Sequence, residues 1–162
     1  ARFLGALELS GDGGSAESVR TLVTLLKDKS PLVRSGAVTT LGAIGRPEFA
    51  QHLIPMAVDP QEDLIVRSDA IVTLARLKNP EAVPPLLDLL KGEPEMALRR
   101  DAAKALVAFG RRRESLDGLM GALEVRDPAV AYRSHLSLQE LTGAMDVGRS
   151  KAEWKAYLDQ NP

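Results

Sequence analysis

The sequence has no cysteine, one tryptophan, two histidines and only 4% aromatic residues. Without cysteine the chain can form no disulfide bond, no thiolate zinc site, no iron–sulfur ligation and no cysteine nucleophile. It also lacks an apolar run of about 18 residues, the length that a membrane-spanning helix requires. We therefore expect a globular chain with no membrane partner.

Neither half of the sequence carries an excess of positive charge. Residues 1–81 hold 9 basic and 10 acidic groups, residues 82–162 hold 12 of each, and the net charge is −1. A protein that encloses a duplex needs a broadly basic surface, so the charge balance predicts against nucleic acid. The one dense basic run, Arg111-Arg112-Arg113, is followed by Glu114 and Asp117. We interpret it as a solvated turn between repeats rather than as a phosphate-binding site.

Motifs for catalysis are missing as well. His52 and His135 are far apart, and neither is followed by a glutamate. Gly11, Gly13 and Gly14 are not followed by the Lys-Ser/Thr pair of a phosphate loop, and no Gly-x-Ser-x-Gly elbow occurs. The sequence thus predicts no enzyme, no cofactor and no metal site.

A repeat runs through most of the chain. Three segments share an arginine at the same point, Arg34, Arg67 and Arg99, spaced by 33 and then 32 residues, and a fourth copy has Ala131 there. Each copy carries two apolar stripes with helical spacing, which predicts a pair of helices. Because one pair cannot bury its apolar face alone, the pairs must stack into an all-α solenoid. We place the repeats at 15–46, 47–79, 80–113 and 114–143.

Residues with known positional preferences mark the ends of these helices. Three dipeptides put a capping side chain before a proline and predict helix starts: Ser30-Pro31, Asn79-Pro80 and Asp127-Pro128. Three glycines follow the apolar residue that closes a second helix and predict helix stops: Gly45, Gly110 and Gly143.

The two ends of the chain differ from the repeats. Residues 1–14 contain Phe3, Leu4, Leu7 and Leu9, which predict the end of an earlier repeat and a solenoid that continues upstream. Residues 144–162 predict a C-terminal capping segment. There Ser150 and Glu153 form a capping box before a short helix with one apolar face, made of Trp154, Tyr157 and Leu158.

The segment from Pro31 to Ala37, continued by Leu41 to Gly45, resembles the second helix of a HEAT repeat of the short bacterial, phycobilisome-lyase type. The ending Leu141-Thr142-Gly143, followed by Glu153-Trp154, is similar to the ending of many bacterial HEAT-repeat proteins. The resemblance implies one solenoid domain over residues 1–162, wound as a right-handed superhelix. It also implies that the second helices line a concave surface that binds other proteins, and it implies no chemistry.

By the same resemblance, the arginine column is a structural ladder to acidic residues in the loops. Asp28 and Glu93 stand six positions before Arg34 and Arg99, and for Arg67 the nearby candidates are Gln61, Asp59 and Glu62. An anion site is the less favoured interpretation.

The concave face follows from helical steps along the second helices. It predicts these partner-binding residues: Ser35, Val38, Ser68, Ile71, Val72, Arg100, Lys104, Tyr132, Arg133 and His135. Exposed valine and isoleucine beside cations and a tyrosine would form an apolar groove for a partner. The alternative is that the apolar members pack against neighbouring second helices.

These patterns favour a non-enzymatic scaffold that binds a protein or an extended peptide. The alternative is a chromophore-lyase-like or enzyme-regulating HEAT subunit, and a nucleic-acid-binding solenoid is the least favoured. We expect a monomer, with end-to-end contact through the N-terminal repeat edge as the other arrangement. The sequence leaves the location open, because any targeting signal would precede Ala1, and the cytoplasm is favoured only weakly.

Overall fold

The computed structural model describes residues 14–161. The chain divides into two compact units, Ala1–Ala82 and Val83–Pro162. The predicted end of an earlier repeat, with Phe3, Leu4, Leu7 and Leu9, lies outside the described residues. The division into the individual repeats stays a prediction.

The first unit contains two helix pairs. The first pair is α1 (Ala16–Leu25) with α2 (Pro31–Ile44), and the second is α3 (Ala50–Val58) with α4 (Leu64–Leu77). Short 3₁₀ turns at Pro47–Phe49 and Pro80–Ala82 precede α3 and follow α4. The helices of each pair pack on each other, and the second helices α2 and α4 also pack side by side.

The second unit has the same arrangement with one helix added. It contains α5 (Val83–Gly92), α6 (Met96–Ala105), a 3₁₀ segment at Leu106–Phe109, α7 (Arg113–Ala122), α8 (Pro128–Thr142) and α9 (Lys151–Gln160). α5 packs on α6, α7 packs on α8, and the second helices α6 and α8 are neighbours. Residues 14–161 contain helices and no strand, so the all-α prediction is confirmed.

The three proline dipeptides stand at starts of helical segments. The carboxylate of Asp127 accepts hydrogen bonds from two backbone N–H groups in the first turn of α8, both at 2.9 Å. Ser30 precedes Pro31 at the start of α2, but its side chain makes no capping hydrogen bond. Asn79 caps the 3₁₀ turn at Pro80–Ala82 rather than an α-helix, and its side chain accepts from the N–H of Glu81 at 3.0 Å.

Helix stops follow the prediction at two glycines and differ elsewhere. Gly45 ends α2 at φ 77° and Gly143 ends α8 at φ 74°, both in the left-handed region that a residue without Cβ adopts at little cost. Gly110 also has a positive φ, but it ends a 3₁₀ segment. α4 ends at Lys78, which has a left-handed conformation with φ 53°. The sequence has no glycine at this position to predict the helix stop.

Leucines form the core of each unit. In the first unit Leu22, Leu41, Leu53 and Leu74 are fully buried; in the second, Leu86, Leu106, Leu119 and Leu138 are fully buried. Each such side chain contributes about 1.5–3 kcal/mol of burial free energy. Within residues 14–161, none of the helices has both the length and the apolar character needed to cross a bilayer.

Candidate partner-binding surface

Three of the predicted surface residues lie in the core. Val38 and Ile71 are fully buried, and His135 is buried as well. Val38 is enclosed because α2 packs against α1 on one side and α4 on another, and Ile71 because α4 packs against α2 and α3. His135 is covered by Trp154 of α9. These three predictions of exposure were wrong, and for the two aliphatic residues the packing alternative holds.

In the first unit, Val72 is the exposed apolar member of the predicted face. Its side chain is 50% exposed. Ser35 and Ser68 are half-buried, and the hydroxyl of Ser35 donates to the carboxylate of Asp69 at 2.5 Å. This bond joins α2 to α4, so Ser35 serves the packing of the two helices.

In the second unit, the exposed residues of the predicted face include two cations of α6 and a tyrosine of α8. Arg100 and Lys104 are exposed on α6, four residues apart and therefore on one side of the helix. Tyr132 on α8 is 48% exposed. The guanidinium of Arg149 lies 5.1 Å from the centre of the Tyr132 ring, within the range of a cation–π contact.

Hydrogen bonds fix the register between these two helices. The hydroxyl of Ser137 on α8 donates to the carbonyl of Ala103 on α6 at 2.9 Å, and Nε of Arg133 donates to the same hydroxyl at 3.3 Å. Nη2 of Arg133 also pairs with Glu140 at 2.5 Å. Arg133 is therefore linked to α6 through the hydroxyl of Ser137. We name Arg100, Lys104, Tyr132, Arg133 and Arg149 the α6–α8 face.

The arginine column makes carbonyl contacts in each of three helix pairs. Arg34 Nη1 donates to the carbonyl of Asp28 at 2.6 Å, Arg67 Nε to that of Ala57 at 3.1 Å, and Arg99 Nε to that of Leu90 at 2.8 Å. Each acceptor lies near the end of the helix that precedes the arginine. These carbonyls lack helical partners, and the arginines supply the missing donors.

Arg34 also has an acidic partner that the sequence did not assign to it. Its guanidinium forms a two-point contact with Glu62, with Nε at 2.9 Å and Nη2 at 2.5 Å from the carboxylate oxygens. Glu62 lies in the loop of the next helix pair, whereas the Asp28 side chain accepts from the N–H of Ser30 at 2.9 Å. The Glu62 hydrogen bond raises the pKa of Arg34 above its usual range.

Sequence reasoning missed a second group of exposed apolar residues. Leu32, at the start of α2, and Leu64 and Ile65, at the start of α4, are 62%, 49% and 68% exposed. Leu32 and Ile65 each stand two positions before the arginine of their repeat. An apolar residue at the same position in two repeats was the sequence signal that could have identified these exposed side chains.

The predicted C-terminal capping helix is built around one buried aromatic residue. The Ser150–Glu153 capping box is present, and its hydrogen bonds hold the pKa of Glu153 below its usual range. Trp154 is fully buried and donates to His135. Burial lowers the pKa of His135, the charge of Arg149 lowers it further, and Glu153 acts in the opposite direction. Tyr157 packs edge-on against Trp154, with ring centres 5.9 Å apart.

A family model described as HEAT repeats matches residues 2–70 and 61–139. The chain belongs to the HEAT-repeat family. The repeated helix pairs are therefore those of HEAT repeats.

Among solved structures, this HEAT-repeat chain is similar to human deoxyhypusine hydroxylase in complex with glycerol. The two are 21% identical, the TM-score is 0.43, and the alignment covers 96% of this chain and 60% of the hydroxylase chain. No curated protein matches the sequence. Over the part of the HEAT-repeat chain that the structure describes, no three His, Cys, Asp or Glu side chains are grouped so as to hold a metal ion.

Proposed function

We propose that this HEAT-repeat chain is a non-enzymatic scaffold that holds an acidic segment of a protein partner on the α6–α8 face. The observation that carries the proposal is the cation–π contact between Arg149 and the exposed Tyr132, together with the exposed cations of α6. We also propose that its repeats are of the short bacterial, phycobilisome-lyase type.

Charge and chemistry support an acidic protein segment as the ligand. The α6–α8 face has four cationic side chains, of which Arg133 is paired with Glu140, in a chain whose net charge is −1. Arginine and tyrosine contribute more binding energy than other residues at protein interfaces, because they join apolar area to hydrogen-bond donors. Opposite charge on the partner also speeds association at low salt.

Because most residues of the α6–α8 face are exposed, substituting them tests binding without disturbing the folding of the chain. Arg100, Lys104, Tyr132 and Arg149 are exposed, so replacing them leaves the leucine core intact. Arg133 is more constrained, since it is half-buried and bonded to Ser137 and Glu140. The variants that test binding should therefore use the exposed members.

The test is a quantitative pull-down from a lysate of the source organism, with the full chain as bait. The double variant Arg100→Glu, Tyr132→Ala is compared with the wild type and with Arg126→Glu, a charge reversal on an exposed arginine outside the face. We expect proteins with acidic segments to be retained by the wild type and the control and to be lost with the double variant. Raising the salt concentration should release them from both.

The proposal fails if the double variant retains the same proteins as the wild type. It also fails if the retained proteins lack acidic segments or survive high salt unchanged. Melting curves accompany the pull-down. A melting temperature close to that of the wild type shows that the lost binding is not lost folding, and a large drop means that Arg100 and Tyr132 are structural residues.

A further inference from the structure

A groove of about 520 Å³ lies in the second unit, between α7 and α9. Its volume falls within the range of about 300–1,000 Å³ that is typical of small-molecule sites. The groove shares no residue with the α6–α8 face. A ligand bound in the groove would therefore not occupy the surface proposed for the protein partner.

The floor of the groove is apolar. Leu116 and Met120 of α7 are four residues apart, so they lie on one side of the helix, and both are buried. Leu158 of α9 lines the groove with them and is half-buried. An apolar group placed on these three side chains would be removed from water, which favours binding in proportion to the area covered.

The rim of the groove is cationic. Arg113 at the start of α7 and Lys151 and Lys155 on α9 line it with exposed ammonium and guanidinium groups. Arg111 lines it too and donates a hydrogen bond to the carbonyl of Asn161. Against these four cations the lining contains two carboxylates, and Glu124 outside the lining pairs with Lys151 at 2.8 Å, so one positive charge remains in excess.

The ion pairs at the rim leave the cations available to a ligand. Arg113 lies 3.8 Å from Asp117, and Lys155 lies 3.3 Å from Asp159. All four side chains of these two pairs are more than half exposed. Exposed pairs of this kind contribute about 0–1 kcal/mol each, so an incoming anion can replace the carboxylate at little cost.

We propose that this groove binds a small anionic amphiphile. Its apolar body lies on Leu116, Met120 and Leu158, and its carboxylate, sulfonate or phosphate group pairs with Arg113 and Lys155. The commitment to an anion follows from the excess of cations around the groove, and the commitment to an amphiphile follows from the apolar floor beneath them. The volume of the groove sets the size of the ligand.

The test uses three probes with the full chain. The anionic dye 8-anilinonaphthalene-1-sulfonate reports occupancy by its fluorescence, dodecanoate is the anionic competitor, and dodecyl maltoside is the neutral competitor with the same tail. All are used below their micelle concentrations. We expect saturable binding of the dye, displacement by dodecanoate, and displacement by dodecyl maltoside weaker by about tenfold or more, the equivalent of one charge-assisted contact.

Two variants and two matched controls locate the site. The double variant Arg113→Glu, Lys155→Glu should raise the Kd for dodecanoate by about tenfold or more, and Leu158→Asp should abolish dye binding. Arg126→Glu and Met145→Asp change an exposed cation and an exposed apolar residue outside the groove, and both should bind like the wild type. Circular dichroism checks that each variant is folded. If Leu158→Asp unfolds, the charge-reversal variant still decides, because both of its positions are exposed.

Four results would overturn the proposal. They are the absence of saturable dye binding by the wild type, equal affinity for the neutral and anionic competitors, losses in the controls as large as in the groove variants, and unchanged binding in the charge-reversal variant. An acidic amphipathic peptide that displaces the dye when dodecanoate does not would also overturn it, and would assign the groove to a protein ligand.

Discussion

The indole Nε1 of Trp154 donates a hydrogen bond to Nδ1 of His135 at a distance of 3.2 Å. The two rings meet edge to face with centres 5.8 Å apart, and both residues are buried. An imidazole nitrogen accepts a hydrogen bond only when it carries no proton. The contact between α8 and α9 therefore depends on a neutral His135.

Acid should weaken the second unit through His135. Burial lowers the pKa of this group in the folded chain, so the unfolded chain binds the proton more readily. The stabilisation is complete above the unfolded pKa of about 6.5 and is lost as the pH falls through the lower folded value. Chemical unfolding at a series of pH values between neutral and about 5 should show a falling free energy of unfolding.

The control for this prediction is the other histidine. His135→Gln should flatten the pH dependence, since glutamine can accept the indole hydrogen bond and does not titrate. His52→Gln should leave the slope as in the wild type, because His52 lies outside the contact with Trp154. A His135→Gln variant that keeps the full slope would show that another group causes it.

Trp154→Ala should loosen α9 and leave the first unit folded. Replacing a buried tryptophan by alanine costs about 3–5 kcal/mol, and here it also removes the donor to His135. Amide hydrogen exchange should show lost protection at residues 151–160 and unchanged protection in α2 and α4. Lost protection in those two helices would mean that the chain unfolds as one cooperative body.

Leu74→Ala should destabilise the first unit strongly. Leu74 is fully buried on α4, so truncation leaves a cavity and costs about 2–5 kcal/mol. Val72→Ala on the same helix is the matched control, because Val72 is half exposed and a surface change of this kind costs about 0.5 kcal/mol or less. Urea unfolding compares the two. Equal losses would contradict the burial of Leu74.

Gly42→Ala should destabilise although it improves helix propensity. A Cβ at Gly42 in α2 would lie 2.7 Å from Cγ2 of Thr73 in α4, too close for the two helices to keep their spacing. Thr73 is buried, and its Cγ2 and Oγ1 both lie within 3.3 Å of that position, so the side chain or the helices must shift, and we expect a loss of about 1–3 kcal/mol.

The matched control for Gly42 is Gly121 in α7, where an added Cβ meets nothing within 4 Å. Gly121→Ala should therefore stabilise the chain by about 0.5–1 kcal/mol through helix propensity alone. Thermal unfolding of the two variants gives opposite shifts if the close approach of α2 and α4 is real. A stabilising Gly42→Ala would refute it.

Much of the fold could be predicted because its signals are local. The capping box at Ser150 and Glu153 and the helix stops at Gly45 and Gly143 depend on residues within a few positions of one another. The paired apolar stripes are equally local. Lys78 shows the limit of this approach, since no local signal identifies a lysine that takes a left-handed conformation.

The candidate site could be predicted only in part because burial depends on distant partners. Val38 and Ile71 belong to helices that pack against neighbours on more than one side. The apolar stripe in the sequence predicts one buried side of a helix and does not show that a second side is buried too. His135 is buried by a tryptophan 19 positions later, which periodicity does not connect to it. Arg100, Lys104 and Tyr132 lie away from such partners, and the helical steps placed them on the surface.

The carbonyl contacts of Arg34, Arg67 and Arg99 have a consequence for how such chains change length. In the second and third pairs the arginine of the second helix bonds the last turn of the first helix, whereas Arg34 bonds the connecting loop at Asp28. The connecting loops cover residues 26–30, 59–63 and 93–95, so the third is two residues shorter than the other two. Doubling a flexible loop costs only about 0.6 kcal/mol in closure entropy. An inserted segment at 93–95 can therefore be accepted during evolution or engineering, because Arg99 still bonds the end of α5 directly.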